Sequence, residues 1–326
     1  LETARSGTDR KLNRGDQPTW SGPLSKLRVE VPFTKTIAAY IDWSPFFWTW
    51  ELKGKYPTIF GHKSYGDEAQ KLFDDAQVLL EQLINDERVQ IKGAWAMYPA
   101  YADGDDIVLT GLADPVTLFG LRQQREHQGS VYRCLSDYLP TSEEEQLGHA
   151  GLFAVTTGAA IEEIAQEYRD QNDDYSAIIV QALGDRLAEA AAEWLHAKVR
   201  RFWGQEEGQL GTDMYLPTEE EVRNLIKETY PGIRPAMGYP ACPDHSEKSK
   251  LWELLSVEET LDMTLTSSYA MYPACSVSGL YIGHPDARYF NVGTITSEQL
   301  TDYCARSGKE ATDVSRWLGG NILKQE

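Results

Sequence analysis

Cysteine, basic side chains and long apolar runs are all scarce in this sequence of 326 residues. The four cysteines are scattered without a CxxC pair, which is typical of a reduced, cytoplasmic protein rather than a disulfide-stapled one. Lys and Arg number 31 against 50 Asp and Glu, and the resulting net charge of −19 disfavours nucleic acid as a partner. No apolar run approaches the roughly 18 residues of a membrane helix, so we expect no membrane partner.

Several motifs of catalysis and nucleotide binding are missing as well. The sequence has no GxGxxG, GxxxxGK[ST], GxSxG or HExxH, which leaves a Rossmann-type dinucleotide site unsupported. Cys242 and His245 form one tight pair, and Cys275 and His284 follow further along the chain. Because a structural zinc site needs four ligands, usually as two tight pairs, we expect no metal. A zinc-bound structural module on these four residues remains an alternative hypothesis.

The chain begins with a polar stretch that a single domain follows. Residues 1–24 are punctuated by Gly and Pro and have no hydrophobic period, so we predict a linker there and one domain over residues 25–326. Because residue 1 is Leu rather than Met, we expect a piece of a longer chain or a processed one.

Hydrophobic periodicity predicts an α+β fold rather than a doubly wound sheet, because strands and helices come in runs instead of alternating. The predicted helices are Thr36–Trp43, Asp67–Ile84, Asp174–Phe202, one that Thr296 caps and Gly308 ends, and a short one ending at Gly319. The predicted strands are Leu27–Phe33, Lys92–Tyr98, Asp106–Thr110, Leu265–Met271, Ser278–Ile282 and Arg288–Ile295.

The long helix Asp174–Phe202 carries charges in two places. Asp185, Glu189 and Glu193 recur every four residues opposite the apolar stripe, a pattern typical of a solvated face. Its last turns hold three basic residues that complement the helix dipole and are candidates for docking an acidic partner. These are Lys198, Arg200 and Arg201.

The segment from Ile233 to His245 is unlike ordinary loop sequence. Three prolines within nine residues fix φ and remove N–H donors, while Gly238 allows a sharp turn or a close approach to the backbone. Asp244 then caps a helix that runs to about Leu255. A stiff loop loses little entropy on binding, which favours a small-molecule site; an ordinary structural turn is the alternative.

This segment, RPAMGYPACPDHSEK, resembles the signature of the C-terminal activation domain of cobalamin-dependent methionine synthase. Further blocks resemble the family in the same order, over about residues 28–320. They are YIDWSPFF at 40–47, LKGKYP at 52–57, DDY at 173–175, ALGDRLAEA at 182–190, SVSG at 276–279, HPD at 284–286 and RYF at 288–290. The resemblance implies one helmet- or C-shaped α+β domain with a central antiparallel sheet and flanking helices.

The resemblance also implies a function. The family's domain binds S-adenosylmethionine (AdoMet) and presents it for reductive methylation of cob(II)alamin, with an electron from flavodoxin or a related flavoprotein. The cobalamin would be held by a partner domain of the same methyltransferase, and zinc would belong only to a homocysteine domain that this sequence lacks. Alone, the chain would bind AdoMet without turnover and without a catalytic residue. A separately encoded module that reactivates a corrinoid protein in trans is the alternative.

Site residues carry over from the family position by position. Arg234 matches the family's binding arginine and is suited to the AdoMet carboxylate. Asp42 matches the family's binding aspartate. Tyr289 and Phe290 match the pair that lines the nucleoside, although many relatives have Tyr at the second position. Ala236 and Gly238 are expected to offer backbone groups. The resemblance further places Tyr239 against the corrin and Glu189 and Glu228 near the cleft.

Overall fold

The structure is a computed structural model that describes residues 1–6, 17–124, 131–141 and 148–322. Its strands are β1 (Arg28–Glu30), β2 (Lys92–Asp103), β3 (Asp106–Leu109), β4 (Val116–Leu118), β5 (Gly148–Thr156), β6 (Thr264–Leu265), β7 (Met271–Tyr272) and β8 (Ser276–Ile282). Its α-helices are α1 (Glu2–Ser6), α2 (Thr34–Ala38), α3 (Ser44–Thr49), α4 (Gly66–Asn85), α5 (Ala160–Asp170), α6 (Asp174–Phe202), α7 (Glu219–Ile226), α8 (Lys248–Leu254), α9 (Val257–Leu261), α10 (Ser297–Ser307) and α11 (Ala311–Leu318). Short 3-10 turns cover Thr58–Gly61, Leu135–Tyr138 and His245–Glu247.

The main sheet is antiparallel, in the order β4-β3-β2-β5-β8. The long strand β2 pairs with β5 along one edge and with both β1 and β3 along the other. Within the register, Trp95 of β2 faces Phe153 of β5, and Phe153 in turn faces Gly279 of β8. A separate small ladder joins β6 to β7.

Side chains alternate along β2 between two buried faces of this sheet. Trp95 and Met97 join the core that α4, α5 and α6 cover, whereas Ala94, Ala96 and Tyr98 join the core on the other face, with α8 and α9. Covering both faces explains why the strands are apolar almost throughout. Helix α6 lies against the sheet with most of its circumference buried.

Most of the periodicity predictions are confirmed. Helix α6 has the predicted bounds, α4 differs by one residue at each end, and α10 begins after the Thr296 cap and ends at Gly308, whose φ is 66°. The 3-10 turn after Asp244 and helix α8 follow the predicted cap, since Asp244 accepts from the N–H of Ser246. The α+β class with a central antiparallel sheet is likewise confirmed.

Four predicted elements differ from the structure. Strand β1 spans only Arg28–Glu30, as expected where Pro32 follows, because proline cannot donate to a ladder. The predicted helix Thr36–Trp43 is replaced by α2 and α3, which an irregular stretch separates. The predicted strand Leu265–Met271 is a hairpin instead, because the N–H of Thr266 bonds the carbonyl of Ala270 and turns the chain.

The predicted strand Arg288–Ile295 is irregular because non-strand partners take its backbone donors. The N–H of Arg288 bonds the Tyr138 hydroxyl at 3.2 Å, and that of Val292 bonds the carbonyl of Pro240 at 2.8 Å. Gly293 turns the chain at a φ of 68°. The bond from Val292 to Pro240 connects the segment 288–295 to the Ile233–His245 loop.

Part of the predicted linker packs on the domain, while residues 7–16 of that prediction lie outside the described residues. On one side of them, Arg5 of α1 pairs with Asp105 and Asp302. On the other side, Trp20 is buried and packs edge-on against Trp95. The boundary at residue 24 stays a prediction. None of the helices in the described ranges is long and apolar enough to cross a membrane.

Candidate functional site

The residues before the turn at Gly238 lie along the free edge of β8. Ile233 and Ile282 exchange two backbone hydrogen bonds of 2.9 and 3.0 Å, and the N–H of Leu280 bonds the carbonyl of Pro235 at 2.8 Å. This approach depends on Gly279, where a Cβ atom would lie 2.4 Å from the oxygen of Pro235. The sheet therefore fixes the backbone on both sides of Arg234.

The turn that follows is held by its own hydrogen bonds. The N–H of Gly238 bonds the carbonyl of Cys242 at 2.8 Å, and Ala236 accepts bonds from the N–H of Tyr239 and the thiol of Cys242. The stiff loop expected from its prolines is thus present. The carbonyl of Ala236 and the N–H of Gly238 serve the turn itself.

A cleft opens beside this loop, between α6, the end of α7 and the segment after α2. It encloses about 590 Å³ of empty space, part of which is continuous with solvent. Four of the residues expected at a site line it: Asp42, Glu189, Glu228 and Arg234. The sequence analysis did not assign the rest of the lining to a site: Tyr40, Arg186, Ala190, Glu193, Leu225 and Ile226.

Arg234 is the central cation of the cleft wall. Its Nη1 lies 2.7 Å from a carboxylate oxygen of Glu193 in an ion pair and donates a hydrogen bond to the hydroxyl of Tyr230 at 2.7 Å, while the hydroxyl of Tyr289 accepts from its backbone N–H at 3.0 Å. Burial alone would lower the pKa of Arg234, but the carboxylate of Glu193 holds that pKa well above its usual range. Both side-chain bonds use Nη1, so Nε and Nη2 form the edge of the fork that can bind another carboxylate.

The acidic stripe of α6 is not the solvated face that its pattern predicted. Glu193 is only 8% exposed, Glu189 is half-buried and lines the cleft, and Asp185 alone is exposed. The helix is covered by the sheet on one side and by the cleft segments on another, so the charges turn inward.

The basic end of α6 is engaged within the domain rather than free for docking. Arg200 has 0% exposure and bonds Glu206, and Lys198 pairs with Glu30 and Asp213. Arg201 donates to the backbone carbonyl of Gly208 at 2.8 Å. These contacts contradict the hypothesis that the three residues form an exposed docking patch.

The two acidic residues on the opposite side of the cleft are held in different ways. Asp42 accepts from the N–H of Ser44 at 2.9 Å with Oδ1, which places its carboxylate at the start of α3. Glu228 follows α7 with a φ of 50°, a left-handed conformation that costs a non-glycine residue about 1–2 kcal/mol. Such strain clusters at functional sites. Burial, reinforced by Glu193 and opposed by Arg234, raises the pKa of Glu228.

The other expected site residues are not among the residues that line the cleft: Ala236, Gly238, Tyr239, Tyr289 and Phe290. Tyr289 bonds the backbone of Arg234 and is 42% exposed. The ring of Phe290 packs against two core clusters, so its contribution to a ligand is limited to the backbone and the exposed part of the ring. Tyr239 projects from the turn with 61% exposure and lies outside the lining of the cleft.

The alternative of a zinc module finds no support in the described ranges, where no three His, Cys, Asp or Glu residues are placed to hold a metal ion. Cys242 bonds the carbonyl of Ala236, and Cys275 lies against Gly184 of α6. His284 is buried beside Tyr138. These contacts place Cys275 and His284 in the core and Cys242 within its own loop.

Comparisons with known proteins agree with this arrangement. The family model described as "Vitamin B12 dependent methionine synthase, activation domain" matches residues 34–308, which is most of the chain. The chain belongs to this family. Its structure is also similar to a crystal structure of the MetH reactivation domain bound to AdoHcy, with 40% sequence identity and a TM-score of 0.89. That likeness covers 100% of this chain and 98% of the other.

The activation-domain family accounts for the motifs that the sequence analysis singled out. The matched range contains Asp42, Arg234 and Tyr289; Asp42 and Arg234 line the cleft, and Tyr289 bonds the backbone of Arg234. Pattern reasoning missed Glu193 and Tyr230, both of which bond Arg234. The sequence contained a partial signal for Glu193, which belongs to the acidic stripe of Asp185 and Glu189. A helical period alone, however, does not distinguish a solvated carboxylate from one in an ion pair.

Proposed function

We propose that this activation domain binds AdoMet in the cleft beside Arg234 and presents it to cobalamin for reductive methylation. The observation that carries the proposal is the constellation of two arginines, Arg186 and Arg234, and four carboxylates that line the cleft. AdoMet has a carboxylate at one end and an ammonium and a sulfonium close by, so it complements a wall of mixed charge.

Each charged side chain would take one part of the ligand. The Nε and Nη2 edge of Arg234 would bind the carboxylate bidentately, as a planar guanidinium can. Asp42 would accept from the ammonium or the ribose, and Tyr289 would line the nucleoside. Glu189 and Glu228 would stabilise the sulfonium through its positive charge, an attraction that a partly buried cleft strengthens.

The rest of the reaction would come from partners. Cobalamin, held by another domain of the methyltransferase, supplies the cobalt that accepts the methyl group, and flavodoxin or a related flavoprotein supplies the electron. Zinc would belong to a homocysteine domain. The present chain contributes binding, orientation and charge, so in isolation it would bind AdoMet without turnover. We place its action in the cytoplasm, with its partners.

Isothermal titration of the purified chain tests AdoMet binding. We expect each chain to bind either one molecule of AdoMet or one molecule of S-adenosylhomocysteine. Each ligand should displace the other. Enthalpy changes no larger than those of dilution for both ligands would contradict the proposal.

The raised pKa of Glu228 predicts that discrimination between the two ligands depends on pH. As the pH falls toward the raised pKa of Glu228, protonation of its carboxylate removes a charge that would attract the sulfonium but not the uncharged thioether. The ratio of AdoMet to S-adenosylhomocysteine affinity should therefore fall with pH, and Glu228→Gln should flatten that dependence. The amino-acid groups are common to both ligands and cancel in the ratio. An equally steep dependence in Glu228→Gln would remove Glu228 from this role.

Tyr239 is expected to serve cobalamin rather than AdoMet, because it is exposed and lies outside the cleft. Tyr239→Ala should change AdoMet affinity by less than about threefold, under ~1 kcal/mol. In the complete enzyme the same change should alter the visible spectrum of cob(II)alamin and slow reductive methylation. Tyr272→Ala, another exposed tyrosine, is the matched control. A large loss of AdoMet affinity with an unchanged spectrum would show that Tyr239 contacts the other ligand.

A further inference from the structure

Behind Arg234 lies a row of charges that starts at the cleft wall and continues into the domain. Glu193 stands between two arginines: Arg234 at 2.7 Å on the cleft side and Arg200 at 3.6 Å on the inner side. Arg200 itself is fully buried and bonds Glu206 through Nε and Nη2. The charges thus alternate from the cleft wall into the domain, in the order Arg234, Glu193, Arg200, Glu206.

Tyr230 contacts three members of this row. Its hydroxyl accepts from Nη1 of Arg234 at 2.7 Å and donates to the carboxylate of Glu193 at 3.2 Å. The guanidinium of Arg200 lies over its ring, with Cζ 3.7 Å from the ring centre, and His196 packs edge-on against it at 5.3 Å. Tyr230 therefore bonds both Arg234 and Glu193, and its ring packs against the guanidinium of Arg200.

These contacts determine which edge of Arg234 faces the cleft. A guanidinium with one carboxylate partner can rotate about the line that joins them, but a second bond from the same Nη1 removes that freedom. Burial raises the pKa of Tyr230, so its hydroxyl stays a proton donor to Glu193 throughout the physiological range. Arg200 fixes the position of the Tyr230 ring, and Arg200 is not among the residues that line the cleft.

We propose that Tyr230, braced by Arg200, is a positioning residue that turns the Nε and Nη2 edge of Arg234 toward the ligand and so confers preference for adenosyl compounds that carry an amino-acid carboxylate. The inference rests on the proposed function, because it concerns how the same cleft recognises its ligand. It predicts that Tyr230 acts only through Arg234 and only on the amino-acid end.

The test compares two uncharged thioethers by isothermal titration. S-adenosylhomocysteine has the amino-acid moiety, whereas 5′-methylthioadenosine keeps the adenine and ribose and lacks it. In Tyr230→Phe, which removes the hydroxyl and keeps the ring, S-adenosylhomocysteine should bind about fivefold more weakly and methylthioadenosine within about 1.5-fold of the unmodified chain. In an Arg234→Ala background, Tyr230→Phe should have no further effect on either ligand.

Tyr175→Phe is the matched control, since Tyr175 also donates to a carboxylate, at 2.9 Å to Asp75, but on the outer surface. It should leave both affinities unchanged. Arg200→Lys, which keeps the charge but loses the planar contact with the ring, should reproduce the split between the two ligands. If circular dichroism shows that the Tyr230→Phe chain is not folded, Arg200→Lys takes its place in the test.

Unchanged affinity for S-adenosylhomocysteine in a folded Tyr230→Phe chain, or an equal loss for both thioethers, would overturn the assignment of Tyr230. Failure of the unmodified chain to bind S-adenosylhomocysteine would instead overturn the proposed function, and the unmodified chain alone reveals that outcome.

Discussion

Arg234→Ala is expected to weaken AdoMet binding by roughly tenfold to a hundredfold, since a hydrogen bond to a charged group contributes about 1.5–3 kcal/mol. The structure adds a second reason. Removing the guanidinium leaves Glu193, which is mostly buried, without its 2.7 Å partner at the wall where a carboxylate must bind. The cleft would then repel the ligand's carboxylate instead of attracting it. Isothermal titration of the folded variant measures the loss.

Two further variants separate geometry from charge. Arg234→Lys keeps the charge, but one ammonium cannot reach Glu193 and Tyr230 and also present a planar fork, so it should weaken binding too. Arg88→Ala removes an exposed arginine that pairs with Asp86 and Glu167, and it should leave affinity unchanged. Unchanged affinity in Arg234→Ala, with an intact circular dichroism spectrum, would place the ligand elsewhere.

Gly238→Ala is expected to destabilise the fold by about 2–4 kcal/mol, since two separate costs add at this position. Gly238 has a φ of 88°, and a Cβ atom there would lie 2.3 Å from the ring of His245. That ring cannot swing away freely, because the ammonium of Lys248 lies 3.0 Å from its Nδ1. Relief would require the loop to move, and with it the backbone of Arg234, so AdoMet affinity should fall as well.

Gly104→Ala is the control for Gly238→Ala. Gly104 has a φ of 61° in the turn between β2 and β3, and a Cβ atom there would meet nothing within 4 Å. Only the conformational cost of about 1–2 kcal/mol should remain, and ligand binding should be unaffected. Urea unfolding of both variants measures the difference. Equal loss of stability in the two would show that contact with His245 is not what requires glycine at 238.

The elements that the sequence predicted well are those whose hydrophobic period is long. Helices α4 and α6 have enough repeats for the apolar side to stand out, whereas β2, which was predicted to end at Tyr98, continues to Asp103. The segment 288–295 failed for the opposite reason. It is rich in strand-forming residues, but its backbone donors bond a tyrosine hydroxyl and a loop carbonyl from distant parts of the chain, and no local pattern contains those partners.

The candidate site shows the same difference between what a local pattern can predict and what depends on contacts between distant parts of the chain. The proline-rich loop predicted a stiff segment that could be a small-molecule site or an ordinary structural turn, and the structure shows the stiff loop. The family resemblance supplied Asp42 and Glu228, which lie far apart in sequence and meet only in the cleft. Glu193 and Arg200 were assigned to a solvated face and a helix end, yet both are buried. A buried ion pair requires two elements packed together, so the periodicity of one helix cannot reveal it.

A crystal structure of this chain with S-adenosylhomocysteine tests the central claim most directly. The account predicts electron density for the ligand in the cleft between Asp42, Glu228 and Arg234, with a carboxylate oxygen about 2.7–3.2 Å from the Nε and Nη2 edge of Arg234. The bonds of Nη1 to Glu193 and Tyr230 should persist beside it. Density for the ligand outside this cleft, or a carboxylate that does not contact Arg234, would contradict it.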